Sequence, residues 1–422
     1  MNAADHWPSA QPLRYCVQHE RIVLEISGFT APGFERVREQ FERNFTHHRE
    51  VGASVCVYRS DECVVDLWGG VMDPETEEPW QAESLINTFS VSKGLLALAV
   101  LQLEDQGRID LDAPVTDVWP DFGRAGKQSI TLRHILNHRS GVAALDQPLS
   151  LEDCLTWQNV DDAIVAQAPL WEPNTDQGYH GVTWGLLVPS IVARATGTRI
   201  EDVVNPMAES LDAEVYLGVP TEKLPQCATL LYRSPLYALL NVMKRVTEGG
   251  INGPFFRNVL FRPNGDAARA FSNPASLGAR GFGNYNLDEV RQAVLPWTNI
   301  NASARGIARM YAPLATDGEA FGVRVFSPEA AQRPRACQSW SERDRIMRKP
   351  LGFSQGFLRA ETGVFTPSED FLGHPGTGGC LGYADPKTGV SFGYVMNRMR
   401  SHVRSPTAMA LSQAVYASLE RL

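Results

Sequence analysis

β-Structure is written at the two ends of this chain and helical periodicity between them, so strands far apart in sequence have to meet in one sheet. Near the start, PGFERVREQFERNFTHH (32–48) sets Phe34, Val37, Phe41 and Phe45 at helical spacing among charges, which predicts an amphipathic helix. GASVCVYRSDECVVDLWGG (52–70) follows as two β-rich runs joined at Ser60-Asp61-Glu62, a hairpin. In INTFSVSKGLLALAVLQLEDQG, Leu95, Leu96, Ala99, Val100 and Leu103 form a long apolar helix face that ends at Gly107. The middle of the chain carries shorter helical patterns, TLRHILNH (131–138) and TWGLLVPSIVARATG (183–197), the second perturbed by Pro189. Residues 249–287 are rich in turn formers and phenylalanine and read as a loop-rich cover. β-Character returns in LGFSQGFLRA (351–360) and in CLGYADPKTGVSFGYVMN (380–397), which turns at Asp385–Gly389. A last helix from about 406 to 421 carries Leu411, Val415 and Leu419 on one stripe. The expected architecture is α+β: an antiparallel sheet flanked by helices, with an inserted, mostly helical lobe. At 422 residues the chain exceeds the usual single core. The boundaries read as a discontinuous sheet lobe, 1–120 with 291–422, around an insertion at 121–290.

Charge and cysteine usage narrow the partners. A net charge of −9 argues against nucleic acid or an anionic membrane. No run approaches the roughly 18 apolar residues of a spanning helix. The opening MNAADHWPSAQPLRYC lacks the basic and apolar regions of a secretory signal. Seven dispersed cysteines without a CxxC pair read as reduced thiols, which places the expected location in the cytoplasm. Cys380, after two glycines, is a rival nucleophile, but no Cys/His pairing is visible in the sequence.

Three short segments carry chemistry. In Ser90-Val91-Ser92-Lys93, a helix beginning at the serine puts positions i and i+3 on one face, so Lys93 can reach the Ser90 hydroxyl. A serine hydroxyl is a poor nucleophile until a base takes its proton, and a lysine becomes such a base when burial lowers its pKa. The alternative is an N-cap serine beside a solvated lysine. In LWEPNTDQGYHGVTWG, Tyr179 follows a Pro-Asn turn, where its phenol can project into a cleft as a proton shuttle or simply pack. Its neighbour His180 faces another way and reads as structural. In His374-Pro375-Gly376-Thr377-Gly378-Gly379, the glycines let the backbone approach a ligand closely. The N–H groups of Thr377 and Ser90 are the candidate oxyanion hole, since Pro375 has no N–H. Arg305 and Arg309 read as helix-surface or packing residues.

Together these segments resemble the β-lactamase-related serine hydrolases: class C β-lactamases, DD-peptidases and family VIII carboxylesterases. SVSK is similar to the family's nucleophile motif. Tyr179-His180-Gly181 stands where the family has Tyr-x-Asn or Tyr-x-x, and His374-Pro375-Gly376 where it has Lys-Thr-Gly. ITLRHILNHRSGV (130–142) resembles its LRHLLTHTSG segment, and ASARGIARMYAPLATDGE (302–319) its NARGLARLYAALA segment. The resemblance runs in order from about residue 30 to the C-terminus and implies a serine β-lactamase/DD-peptidase-like fold, with the site between sheet and helical lobe. It also implies an acyl-enzyme on Ser90. Two departures matter: His374 replaces the lysine that holds a substrate carboxylate, and Gly181 replaces the asparagine. Both favour a small neutral ester over β-lactam or D-peptide substrates. The expected activity is therefore carboxylic-ester hydrolysis by Ser90, Lys93 and Tyr179, needing no metal or organic cofactor. Acyl transfer to a small acceptor, β-lactam or D-peptide hydrolysis, and an inactive scaffold are the alternatives. His374, Gly376, Phe255, Phe256 and Tyr285 are the expected substrate contacts, the three aromatic residues as an apolar wall.

Overall fold

The structure is a computed structural model that describes residues 13–17, 20–232, 243, 252–278, 281–359, 364–400 and 405–421. The opening segment read for a signal lies mostly outside the described residues, as do 249–251 and 279–280 of the cover segment and the last residue of 351–360.

Strands from both ends of the chain do meet. From one edge the large sheet runs Ser339–Ser341, Leu351–Ser354, Phe357–Arg359, Leu372–Pro375, Leu381–Asp385, Val390–Met396, Gly52–Arg59, Glu62–Asp73 and Ile26–Thr30. Glu78–Pro79 adds to Glu62–Asp73, and every neighbouring pair is antiparallel. The junction between the two ends is the pairing of Val390–Met396 with Gly52–Arg59, in register from Val390 opposite Arg59 to Met396 opposite Ala53.

Side-chain size decides what covers each face. Successive strand residues point to opposite sides. A Cβ at Gly382 would lie 2.5 Å from Ile307 Cγ2, and one at Gly393 2.1 Å from the Ala304 carbonyl oxygen. Bare backbone there lets the helix Ala304–Ala315 lie directly on the sheet. On the other face the Tyr383 hydroxyl meets Ser412 Oγ at 2.8 Å, fixing the C-terminal helix Pro406–Leu419, which packs with Glu35–Thr46. In the latter helix Val37, Phe41 and Phe45 are buried, as their spacing predicted.

The helix Val91–Asp105 departs from the one-faced pattern. Val91, Ala97, Leu98 and Leu101 are buried along with the predicted stripe, so apolar residues surround it and it runs through the core. The cover segment is another correction. Within 249–287 the described residues form short helices, Gly253–Phe261 and Asp266–Arg269, and single turns at Ala275–Leu277 and Phe282–Asn286. Its prolines and glycines punctuate helices: Pro254 sits in a first turn, where its missing N–H costs nothing. Arg305 is held by Asp66 at 2.6 Å, and Arg309 stacks on Phe321 and bonds the Leu211 carbonyl, both away from the serine. Among the described residues, no helix is long and apolar enough to cross a membrane.

Candidate active site

Ser90 sits at the mouth of the core helix, and its backbone is already helical (φ −70°, ψ −6°). Its hydroxyl makes no capping bond, which removes the N-cap alternative. The preceding Phe89 adopts φ +51°, a left-handed conformation unfavourable for an aromatic residue. Ring contacts hold it there: Phe89 meets Tyr285 at 5.1 Å and Phe282 at 5.8 Å, edge to face.

Lys93 lies one turn on and is 1% exposed. Its ammonium nitrogen is 3.4 Å from Ser90 Oγ and donates to the Trp297 carbonyl at 2.9 Å. Burial alone pushes its pKa down to about 7. Gly94 is what lets this turn seat so deeply, because a Cβ there would lie 2.0 Å from the Tyr311 hydroxyl. Ser92, the other serine of the motif, points elsewhere: its Oγ accepts from the Ile300 amide at 3.1 Å and lies 3.4 Å from Thr88 Oγ1. It ties the helix to the 297–301 segment that supplies the Trp297 carbonyl.

Tyr179 is brought to the same point from the middle of the chain. Its hydroxyl donates to Ser90 Oγ at 3.0 Å, and Lys93 Nζ lies 5.3 Å from its ring centroid. Burial pushes the phenol pKa up, so the hydroxyl keeps its proton. The ring stacks with Phe271 at 5.9 Å and Phe353 at 6.2 Å, with His138 tilted against it at 4.8 Å. Its backbone N–H donates to Asp344 Oδ1 at 3.1 Å. That buried carboxylate also accepts from the amides of Ile346 and Met347 and from Gln177 Nε2. Sequence reasoning missed Asp344, Phe271 and Trp297, since no local pattern links them to the serine. His180 is structural: Nδ1–H donates to the Gly178 carbonyl, and Nε2 faces Ser140 Oγ at 2.6 Å. Burial holds its pKa down at about 4.

His374 stands on the strand Leu372–Pro375. Its Nδ1 lies 2.8 Å from the Pro375 carbonyl and so carries the proton, which leaves Nε2 as an acceptor 3.5 Å from the Tyr179 hydroxyl. Burial, reinforced by Lys93, lowers the His374 pKa to about 3, and the ring is neutral. A Cβ at Gly376 would lie 2.2 Å from the Thr88 carbonyl, so glycine lets this strand end pass beside the turn that bears Ser90. The Gly376 amide is spent on the Cys380 carbonyl at 2.7 Å. Among the described residues, the amides of Ser90 and Thr377 have no acceptor. Cys380 is buried, and its thiol is pushed up to about 12, which removes it as a rival nucleophile.

The three aromatic residues expected as a wall separate. Phe255 packs edge-on to Phe271 at 5.7 Å, and so reaches Tyr179 through one ring, while Phe256 touches Phe255 at 5.4 Å. Tyr285 is 4% exposed, with its hydroxyl donating to the Leu277 carbonyl. Its ring supports Phe89, which makes it a prop for the serine turn and not a substrate wall.

A fold with a large antiparallel sheet flanked by helices, and a Ser-x-x-Lys helix facing a tyrosine, defines a class, and the comparisons name it. The family model described as Beta-lactamase matches residues 38–415, and the chain belongs to that family, with its penicillin-binding-protein and β-lactamase fold. Esterase/beta-lactamase LipL of Mycobacterium tuberculosis is 30% identical over 385 residues, which cover 89% of this chain and 84% of that protein. A penicillin-binding protein homologue from Caulobacter crescentus superposes with a TM-score of 0.81 at 29% identity, over 93% of this chain and 100% of the other. A family VIII carboxylesterase does so with a TM-score of 0.78 at 30% identity, again over 93% and 100%.

Proposed function

We propose that this protein is a serine carboxylic-ester hydrolase working through an acyl-enzyme on Ser90. The observation that carries this reading is the position of Ser90 Oγ, 3.0 Å from the Tyr179 phenol and 3.4 Å from the buried Lys93 amine. With a pKa near 7, Lys93 is substantially neutral at physiological pH and can accept the Ser90 proton as the oxygen attacks the ester carbonyl. Tyr179 stays protonated and touches the same oxygen, so it delivers a proton to the departing alkoxide and is recharged from Lys93. The amides of Ser90 and Thr377 take the negative oxygen of the tetrahedral intermediate. Water then attacks the acyl group by the reverse relay.

Two features support neutral esters as the substrate class. His374 is neutral and cannot pair with a substrate carboxylate as an ammonium would. The space that a side chain at Gly181 would need is taken by the Ala270 carbonyl at 2.5 Å and the Phe271 ring at 2.8 Å. LipL carries both esterase and beta-lactamase in its name, and a β-lactam or an acyl-accepting alcohol would use the same three groups. The test is turnover of aryl esters of increasing chain length against a chromogenic cephalosporin, with and without added alcohols and amines, alongside fluorophosphonate labelling. Label on the Ser90 peptide with ester turnover dominant is expected. Cephalosporin turnover at comparable rates would shift the reading to β-lactamase, and ester or amide products with added acceptors to acyl transfer. An unlabelled wild-type protein would overturn it.

A further inference from the structure

The chain is acidic overall, yet one groove is lined by guanidinium groups. It has a volume of about 480 Å³, within the range of small-molecule sites, and lies between two short segments. Pro254, Arg257, Asn258 and Phe261 come from one face of the helix Gly253–Phe261, at spacings of three and four residues. Arg262 follows, and Arg343 and Arg348 approach from the loop opposite. The Asn258 carboxamide, turned to present its oxygen, accepts from Arg348 Nε at 3.1 Å and Nη2 at 3.3 Å, which fixes that guanidinium toward the groove.

Among the described residues, Arg257, Arg262 and Arg343 have no carboxylate partner within 4 Å. Two acidic groups nearby face other arginines. Asp266 faces Arg269 at 3.5 Å, and Asp176 faces Arg345 at 3.3 Å. Burial, with the charges of Arg343, Arg345 and Arg262, lowers the Arg348 pKa against a smaller opposing pull from Asp266, so the like charges oppose one another. Phe261, 71% exposed, forms an apolar shoulder at the rim. Three guanidiniums without a carboxylate, with Arg348 beside them, exceed what the two oxygens of one carboxylate can engage, whereas a phosphate group offers three terminal oxygens to several guanidiniums at once.

We propose that this groove is a second binding site, outside the Ser90 cleft, for a phosphate-class anion carried by a small organic phosphate or a lipid headgroup. It adjoins the candidate active site without sharing its side chains. The other side of the same helix presents Phe255 to Phe271, which stacks on Tyr179, and the opposite loop carries Asp344 between Arg343 and Arg348. The proposal does not depend on the hydrolase reading, because its test reads binding.

The test is calorimetric titration of the full chain with inorganic phosphate and glycerol 3-phosphate, against chloride at matched ionic strength. A parallel arm measures sedimentation with phosphatidylcholine vesicles, with and without phosphatidylglycerol. Arg257→Gln/Arg343→Gln, at two exposed positions, is expected to weaken phosphate binding at least tenfold while leaving hydrolysis of a small neutral ester unchanged. Arg257→Lys/Arg343→Lys, which keeps the charge and loses the fork, should fall between. Glycerol 3-phosphate binding without vesicle binding assigns a soluble phosphate. Vesicle binding that needs phosphatidylglycerol and is lost in the glutamine variant assigns a headgroup. Chloride acting as well as phosphate with no vesicle binding, or unchanged affinity in the glutamine variant, overturns the site.

Discussion

Replacing Lys93 with methionine separates what the buried amine does for chemistry from what it costs the fold. Its pKa falls from 10.5 to about 7 on folding, through desolvation alone. At about 1.4 kcal/mol per unit, that is a penalty on the order of 4–5 kcal/mol near neutral pH. The sign follows from proton counting. Between pH 7 and 10.5 the unfolded chain holds a proton on this amine that the folded one does not, so stability rises with pH across that window. Below pH 7 the penalty is present in full, and above 10.5 it is gone. Methionine has similar volume and no charge, but leaves the Trp297 carbonyl without its donor, a loss of about 1–2 kcal/mol. The net expected gain is about 3 kcal/mol near pH 6.5, which for a chain of this length is a rise in Tm of roughly 3 °C. Calorimetric scans of both proteins at pH 6.5 and 9.5 test this: the variant's advantage should be largest at the lower pH and shrink at the higher. Ester hydrolysis should fall by about 10² or more. The wild-type kcat/KM should rise with pH to a plateau, with its midpoint near 7. An advantage that grows with pH, or a wild-type profile flat from pH 5.5 to 8.5, would refute the reasoning.

Ser90→Ala should abolish turnover with Tm unchanged, because among the described residues the hydroxyl bonds only to Lys93 and Tyr179. Ser92→Ala should show the reverse emphasis: a stability loss of about 1–3 kcal/mol from the unpaired Ile300 amide, read by denaturant titration, with far more activity kept than in Ser90→Ala. Equal loss of activity in both would place the nucleophile wrongly. Tyr179→Phe should lower kcat by about 10² while KM changes little, since the ring and its stacking partners stay, and a larger effect on KM than on kcat would contradict the relay. Asp344→Ala removes the acceptor of three buried amides and should cost roughly 3–5 kcal/mol in a thermal melt. A neutral result there would show that Tyr179 is held by its rings alone.

Local pattern put Lys93 within reach of Ser90, because three residues along one helix fix a distance whatever surrounds them. The same holds for the hairpin at Ser60-Asp61-Glu62 and the helix at 32–48, whose periodicities name the face that must be buried. Pattern also put Tyr179 and the His374 strand among the candidates, though only the family resemblance tied them to the serine. What the chain's order of residues does not contain is depth. Nothing local says that Val91–Asp105 is surrounded on every side, and that enclosure is what brings the Lys93 amine toward neutrality. Asp344, Trp297 and Phe271 reach the site from 165, 204 and 92 residues beyond the groups they hold. Tyr285, read from composition as a wall, was turned by packing into a brace for Phe89. Covalent spacing determines which groups can be neighbours within a turn, whereas the loss of water around them and the contacts between distant segments exist only once the sheet has closed over the helix.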